Sequence, residues 1–97
     1  MTDFTVRVEL HSADSGDYDA LHGEMDREGF ERTITGTDNK GVWHTWHLPW
    51  AEYIISGDFT CDHVRRKAIS AAERTAKKYA ILVTQAQTRC WIGLDLV

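Results

Sequence analysis

Phe4, Val6, Val8 and Leu10 alternate with Thr5, Arg7, Glu9 and His11 at the start of the chain. A period of two places one set on a buried face and the other in water, so the spacing predicts a strand. The pattern then changes. Asp14 or Ser15 can cap a helix by accepting a backbone N–H, and Gly29 suits the left-handed residue that ends one. Between them, from about Gly16 to Glu28, the 100° step of a helix gathers Tyr18, Leu21, His22 and Met25 into one stripe. Asp17, Glu24 and Glu28 run along one rim of that stripe, and Asp19 and Asp26 along the other.

Glu31 to Thr37 predicts a short strand, and Thr37-Asp-Asn-Lys-Gly41 carries turn residues able to take positive φ, which makes a hairpin with the segment that follows. That return segment is aromatic and β-prone but contains Pro49, which cannot donate a ladder bond. It therefore divides into a strand at 42–48 and an extended piece at 52–56. Thr60 caps a second helix with Asp62 in its first turn. Val64, Ala68, Ala71, Ala72, Thr75 and Tyr79 share its inner arc, and Arg66, Lys67, Arg74, Lys77 and Lys78 the opposite one. Ile81 to Thr84 predicts a strand, with a second at Arg89 to Leu96 after a hairpin at 85–88. The order is β-α-β-β-α-β with an extra C-terminal strand: an α+β, ferredoxin-like sandwich of two helices on one face of an antiparallel sheet.

Composition fits one domain spanning residues 1–97. A chain of this size buries a single core, and 42% hydrophobic residues with four Trp, three Tyr and three Phe exclude disorder. No basic-then-apolar leader opens the chain, and no apolar run approaches the roughly 18 residues of a membrane helix. With Cys61 and Cys90 expected as free thiols, a cytoplasmic location without membrane contact is the expectation.

Charge adds more. The net charge is −4, yet residues 1–31 hold nine acids against Arg7 and Arg27, leaving −7, while residues 32–97 hold nine bases against six acids, leaving +3. Segregation of this kind bears on partners and encounter rates rather than on fold. Asp14, Asp17, Asp19, Glu24, Asp26, Glu28 and Glu31 have few nearby bases in sequence and should repel one another. A row of carboxylates on a rigid helix can imitate a nucleic-acid backbone and occupy a Lys/Arg groove meant for it. These seven form the candidate partner-binding face. Acids early in a helix also favour its dipole, but Asp26, Glu28 and Glu31 stand at the end where the dipole disfavours them.

Other chemistry finds little support. No nucleophile has a sequence-local base and orienting group, and the serines fall where caps and loops account for them, so no catalytic set is assigned. His44 and His47, three apart in a strand, should face opposite ways, and the five histidines make no ligand motif; no metal or cofactor is expected. His11 and His22 could pair between the first strand and the first helix. The basic-aromatic signature of RNA-recognition modules is absent, and core or strand-face packing is the expectation for Trp43, Trp46, Trp50 and Trp91. The bases of the second helix fit a solvated back. At pI about 5.6 the protein suits no direct contact with nucleic acid.

The segments Phe4-Thr-Val-Arg-Val-Glu-Leu-His11, Asp17-Tyr-Asp-Ala-Leu-His22, Glu28-Gly-Phe-Glu-Arg-Thr-Ile34, His47-Leu-Pro49, Ala51-Glu-Tyr53 and Lys77-Lys-Tyr-Ala-Ile-Leu-Val-Thr84 resemble a family of small phage and prophage proteins. That family is grouped with GhoS-like antitoxins, ferredoxin-like endoribonucleases of type V toxin-antitoxin systems, although these segments transfer no catalytic set. The length and acidic balance also resemble a type I-F anti-CRISPR protein. This second resemblance implies a non-enzymatic inhibitor that mimics DNA, binds the basic DNA-binding subunits of the crRNA-guided type I-F surveillance complex and keeps target DNA from hybridising. The first implies the alternative, a ribonuclease antitoxin that holds RNA on its basic second helix.

Overall fold

In a computed structural model describing residues 1–97, the chain runs β1 (Thr2–Leu10), α1 (Ser15–Arg27), β2 (Thr33–Thr37), β3 (Trp43–His47), β4 (Glu52–Gly57), α2 (Cys61–Glu73) and β5 (Tyr79–Ala86). β1 is the central strand, antiparallel to β4 on one side and to β5 on the other. β2 and β3 form the hairpin that the Asp38-to-Gly41 turn foretold, with Thr33 opposite His47 and Thr37 opposite Trp43. Glu31 and Ile54 exchange backbone bonds of 2.8 and 2.9 Å, which sets the root of β2 beside β4. The resulting order, β5-β1-β4-β2, is that of a ferredoxin-like sheet, with β3 as an added outer strand.

The alternation in β1 decides which face is sealed. Phe4, Val6, Val8 and Leu10 are buried under the two helices with Tyr53 and Ile55 of β4, while Arg7 and Glu9 stay exposed. From α1 come Leu21 and Met25, and from α2 Val64, Ala68, Ala71 and Ala72. The three alanines of α2 let that helix lie close to the sheet, and each large buried side chain contributes about 1.5–3 kcal/mol through burial. Both helix starts are capped as the sequence indicates. Asp14 and Asp17 form a reciprocal capping box on α1, and the Thr60 hydroxyl accepts from the His63 N–H on α2. Gly29, at φ 94°, turns the chain out of α1.

Two expectations are corrected. Tyr79 does not belong to α2, which stops at Glu73: the Thr75 hydroxyl donates to the Ala72 carbonyl, and Ala76 takes φ 62°, so the turn is spent before Tyr79 opens β5. The C-terminal strand over Arg89 to Leu96 is not formed, and neither is its hairpin. Arg89 instead reaches back across β1, donating to the Thr5 hydroxyl at 2.9 Å and the Phe4 carbonyl at 3.0 Å. Trp91 turns inward onto Trp46 at a centroid distance of 5.3 Å, and Gly93 takes φ 79°. Only the last residues pair, with the His47 N–H donating to Asp95 and the Val97 N–H to Thr45. The tail thus clasps β3 rather than extending the main sheet.

Candidate partner-binding face

The two carboxylate rims of α1 have different neighbours. α2 packs beside the rim of Asp17, Glu24 and Glu28 and pairs with it. Arg74 bonds Glu24 and, at 2.7 Å, Glu28; Lys67 lies 3.9 Å from Glu28; and Lys77 lies 3.6 Å from Asp17. The Arg74 hydrogen bond is the main reason that the Glu24 carboxyl is held below its ordinary value, and the backbone N–H of Asp14 does the same for Asp17. The expectation that these acids lack bases is therefore corrected. Bases distant in sequence are close in space, because the connection through β2, β3 and β4 lays α2 alongside α1. The basic back of α2 is likewise not simply solvated: Lys67 and Arg74 serve this seam, and Arg65 and Arg66 pair with Asp62.

Of the seven predicted residues, Asp14 and Asp17 are committed to the cap, and Glu24 and Glu28 to the inter-helix seam. Glu31 is exposed at the bridge to β4. Asp19 and Asp26 are exposed and form no ion pair. Seven residues apart on a helix, they share one arc with His22 between them.

His22 anchors a cluster whose members, Tyr18, Trp50 and Tyr53, are brought together only by the fold. Its side chain is 8% exposed, and Nδ1 shares a 2.6 Å hydrogen bond with the Tyr53 hydroxyl, whereas Nε2 is buried without a partner. No pair with His11 forms. Burial, followed by the nearby positive charge of Arg32, lowers the His22 pKa and keeps the ring neutral near pH 7. Burial also pushes the Tyr53 phenol up, so it remains a protonated partner.

Trp50 covers this pair. Its ring meets His22 edge-on at 4.9 Å and Tyr18 at 5.6 Å, yet 55% of the residue is exposed. The turn that presents it is tightly fixed. Glu52 donates to the Pro49 carbonyl, Val8 donates to the Ala51 carbonyl, and the buried Ala51 takes φ 65°, a left-handed conformation that costs a non-glycine residue energy. Pro49 was legible as a bend; that the bend delivers Trp50 onto α1 depends on β4 pairing with β1.

No three His, Cys, Asp or Glu side chains converge as metal ligands, and no helix is long and apolar enough to cross a membrane. Comparison with protein-family models finds no match. No curated protein matches either. The geometry of the face carries the functional reading.

Proposed function

We propose that this domain is a non-enzymatic inhibitor that docks through the outer face of α1 onto a basic surface, with Trp50 as its anchor. The observation that carries the reading is a half-exposed tryptophan seated against Tyr18 and His22 of α1, a helix whose Asp19 and Asp26 are exposed and unpaired. Large aromatics packed on a rigid support are the usual energetic anchors of interfaces, while unpaired charge steers and orients the encounter. Asp14, Asp17, Glu24 and Glu28 contribute at most the outward side of carboxylates already engaged, so Asp19, Asp26 and Glu31 supply the free negative charge. The resemblance to type I-F anti-CRISPR proteins points to the DNA-binding surface of the type I-F surveillance complex as the basic partner. A host-cell cytoplasmic site of action belongs to the same proposal. The ribonuclease alternative draws less support: of its six bases, Arg65, Arg66, Lys67, Arg74 and Lys77 pair with carboxylates and Lys78 alone has no ion pair.

A gel shift of target double-stranded DNA by purified surveillance complex tests the proposal, with a labelled-RNA cleavage assay beside it. The wild-type protein should abolish the shift. Asp19→Lys/Asp26→Lys and Trp50→Ala should each restore it, and Arg65→Gln/Arg66→Gln should inhibit as the wild type does. An undiminished DNA shift in the presence of wild-type protein, or RNA cleaved by the protein alone, overturns the proposal.

A further inference from the structure

β5 is an edge strand, and its ladder with β1 shows which of its backbone groups are free. The His11 N–H donates to the Lys78 carbonyl at 2.8 Å, and the same register continues as Leu10–Tyr79, Val8–Ile81 and Val6–Val83. In an antiparallel pair alternate residues turn their N–H and C=O toward the partner. Lys78, Ala80, Leu82, Thr84 and Ala86 therefore face β1, and Tyr79, Ile81, Val83 and Gln85 direct theirs away from the sheet. The Val83 carbonyl accordingly meets only the weak Cys61 thiol donor, 3.8 Å away.

Natural sheets blunt such an edge with charge, proline or a bulge. β5 carries none of these. Its sequence, Tyr-Ala-Ile-Leu-Val-Thr-Gln-Ala, has no charged residue, and it pairs with β1 without interruption. Leu82 lies on the sheet face away from the helices and is 64% exposed. Beside it is a shallow hollow of about 140 Å³ lined by Arg7, Glu9, Ala80, Ile81 and Leu82.

We infer that β5 pairs antiparallel with β5 of a second copy of this chain about a two-fold axis at Leu82. With that register, Ile81 bonds Val83 and Tyr79 bonds Gln85 across the axis, so every outward backbone group of the strand meets its counterpart. Leu82 faces Leu82 of the second copy as a non-hydrogen-bonded pair, where side chains approach most closely. The ends are complementary in charge. Lys78 falls opposite Ala86 of the second copy, whose neighbour on β1 is Asp3. Lys78, Ala86 and Asp3 share the open face, and alanine leaves room for the lysine to extend over it to the carboxylate. The product is one continuous sheet, β4-β1-β5-β5-β1-β4, with the helices of both copies on the same side. The α1 faces then point the same way, and the face proposed for partner binding is left uncovered.

Sedimentation of the full chain from roughly 10 μM to 1 mM reads the association directly. The wild type should pass from monomer to dimer over this range. Leu82→Lys, an exposed change that sets two ammonium groups face to face, should remain monomeric. Asp3→Lys and Lys78→Glu should each weaken the dimer about tenfold or more, and the two together should recover it, because the swap restores both end pairs. A wild type that stays monomeric at the highest concentration, a dimer indifferent to Leu82→Lys, or a double swap that fails to recover overturns the inference. Since the α1 face is intact in Leu82→Lys, loss of dimer in that variant is separable from loss of inhibition.

Discussion

Arg74, the residue that closes α2, holds Glu24 and Glu28 of α1 at once, its guanidinium spanning one turn of the neighbouring helix. Both partners were legible in the sequence, but as a carboxylate meant for a foreign base and a base meant for solvent. Packing the two helices side by side on one sheet face turned them into an internal clasp.

Acid stability reads this clasp. Glu24 has its pKa lowered in the fold, chiefly by Arg74, so its contribution is present above the unfolded carboxyl value of 4.5 and is lost as pH falls through the folded value. Arg74→Ala should reduce stability at neutral pH, lose less relative to wild type in high salt, and flatten the decline below pH 4.5. Urea unfolding at pH 3.5, 4.5 and 7, at two salt concentrations, measures all three.

His22 acts in a higher window. Its folded pKa is lowered from 6.5 by burial, so between that lowered value and 6.5 the unfolded chain binds a proton that the folded chain refuses. Stability should fall as pH drops below 6.5. His22→Phe should remove this limb while costing about 1–3 kcal/mol at pH 7.5, because the Tyr53 hydroxyl is left without its partner. Denaturant midpoints at pH 5.5 and 7.5 give the comparison.

Gly36 admits the Trp91 ring. A Cβ there would stand 2.8 Å from the indole, closer than carbon atoms tolerate. Gly36→Ala should cost about 1–3 kcal/mol if the ring is forced aside, and it should free the tail. Amide exchange at Val97 and His47, whose N–H groups donate to Thr45 and Asp95, should accelerate while exchange in β1 is unchanged.

Ala76 closes the α2 turn at φ 62° with its side chain exposed. Glycine accepts that conformation without the roughly 1–2 kcal/mol left-handed penalty but is more flexible when unfolded. Ala76→Gly should therefore raise stability by about 0.5–1 kcal/mol, measured as a higher denaturant midpoint with an unchanged slope.

What the sequence disclosed follows the range of the interactions involved. The alternation of Phe4 to Leu10, the Asp14 and Thr60 caps, the Gly29 stop and the Asp38-to-Gly41 turn are local rules, and each appears where its residues placed it. The clasp of Arg74 on Glu24 spans fifty residues, and no pattern within one helix announces it. Arg89 to Leu96 has strand-forming residues, yet a bond from Arg89 to Thr5 and the edge-on packing of Trp91 against Trp46 bend that segment away. The candidate face was half legible: the two rims of α1 were separable from helical spacing alone, but which rim α2 would neutralise, and that Trp50 would settle on the other, depended on the sheet order. His22 in the apolar stripe of α1 was the one local sign that a buried polar pair lay there.

None of the four tryptophans belongs to the sealed core under the helices. Trp43, Trp46 and Trp91 sit on the hairpin and the tail, which the Glu31–Ile54 bridge and the Arg89 bonds to Phe4 and Thr5 fasten to the main sheet. Intrinsic fluorescence of this protein is consequently a gauge of its appendages. A shift in emission on heating or on meeting a partner can mark the hairpin loosening or Trp50 being covered or released from α1, and a far-ultraviolet signal beside it separates these from the domain itself coming apart.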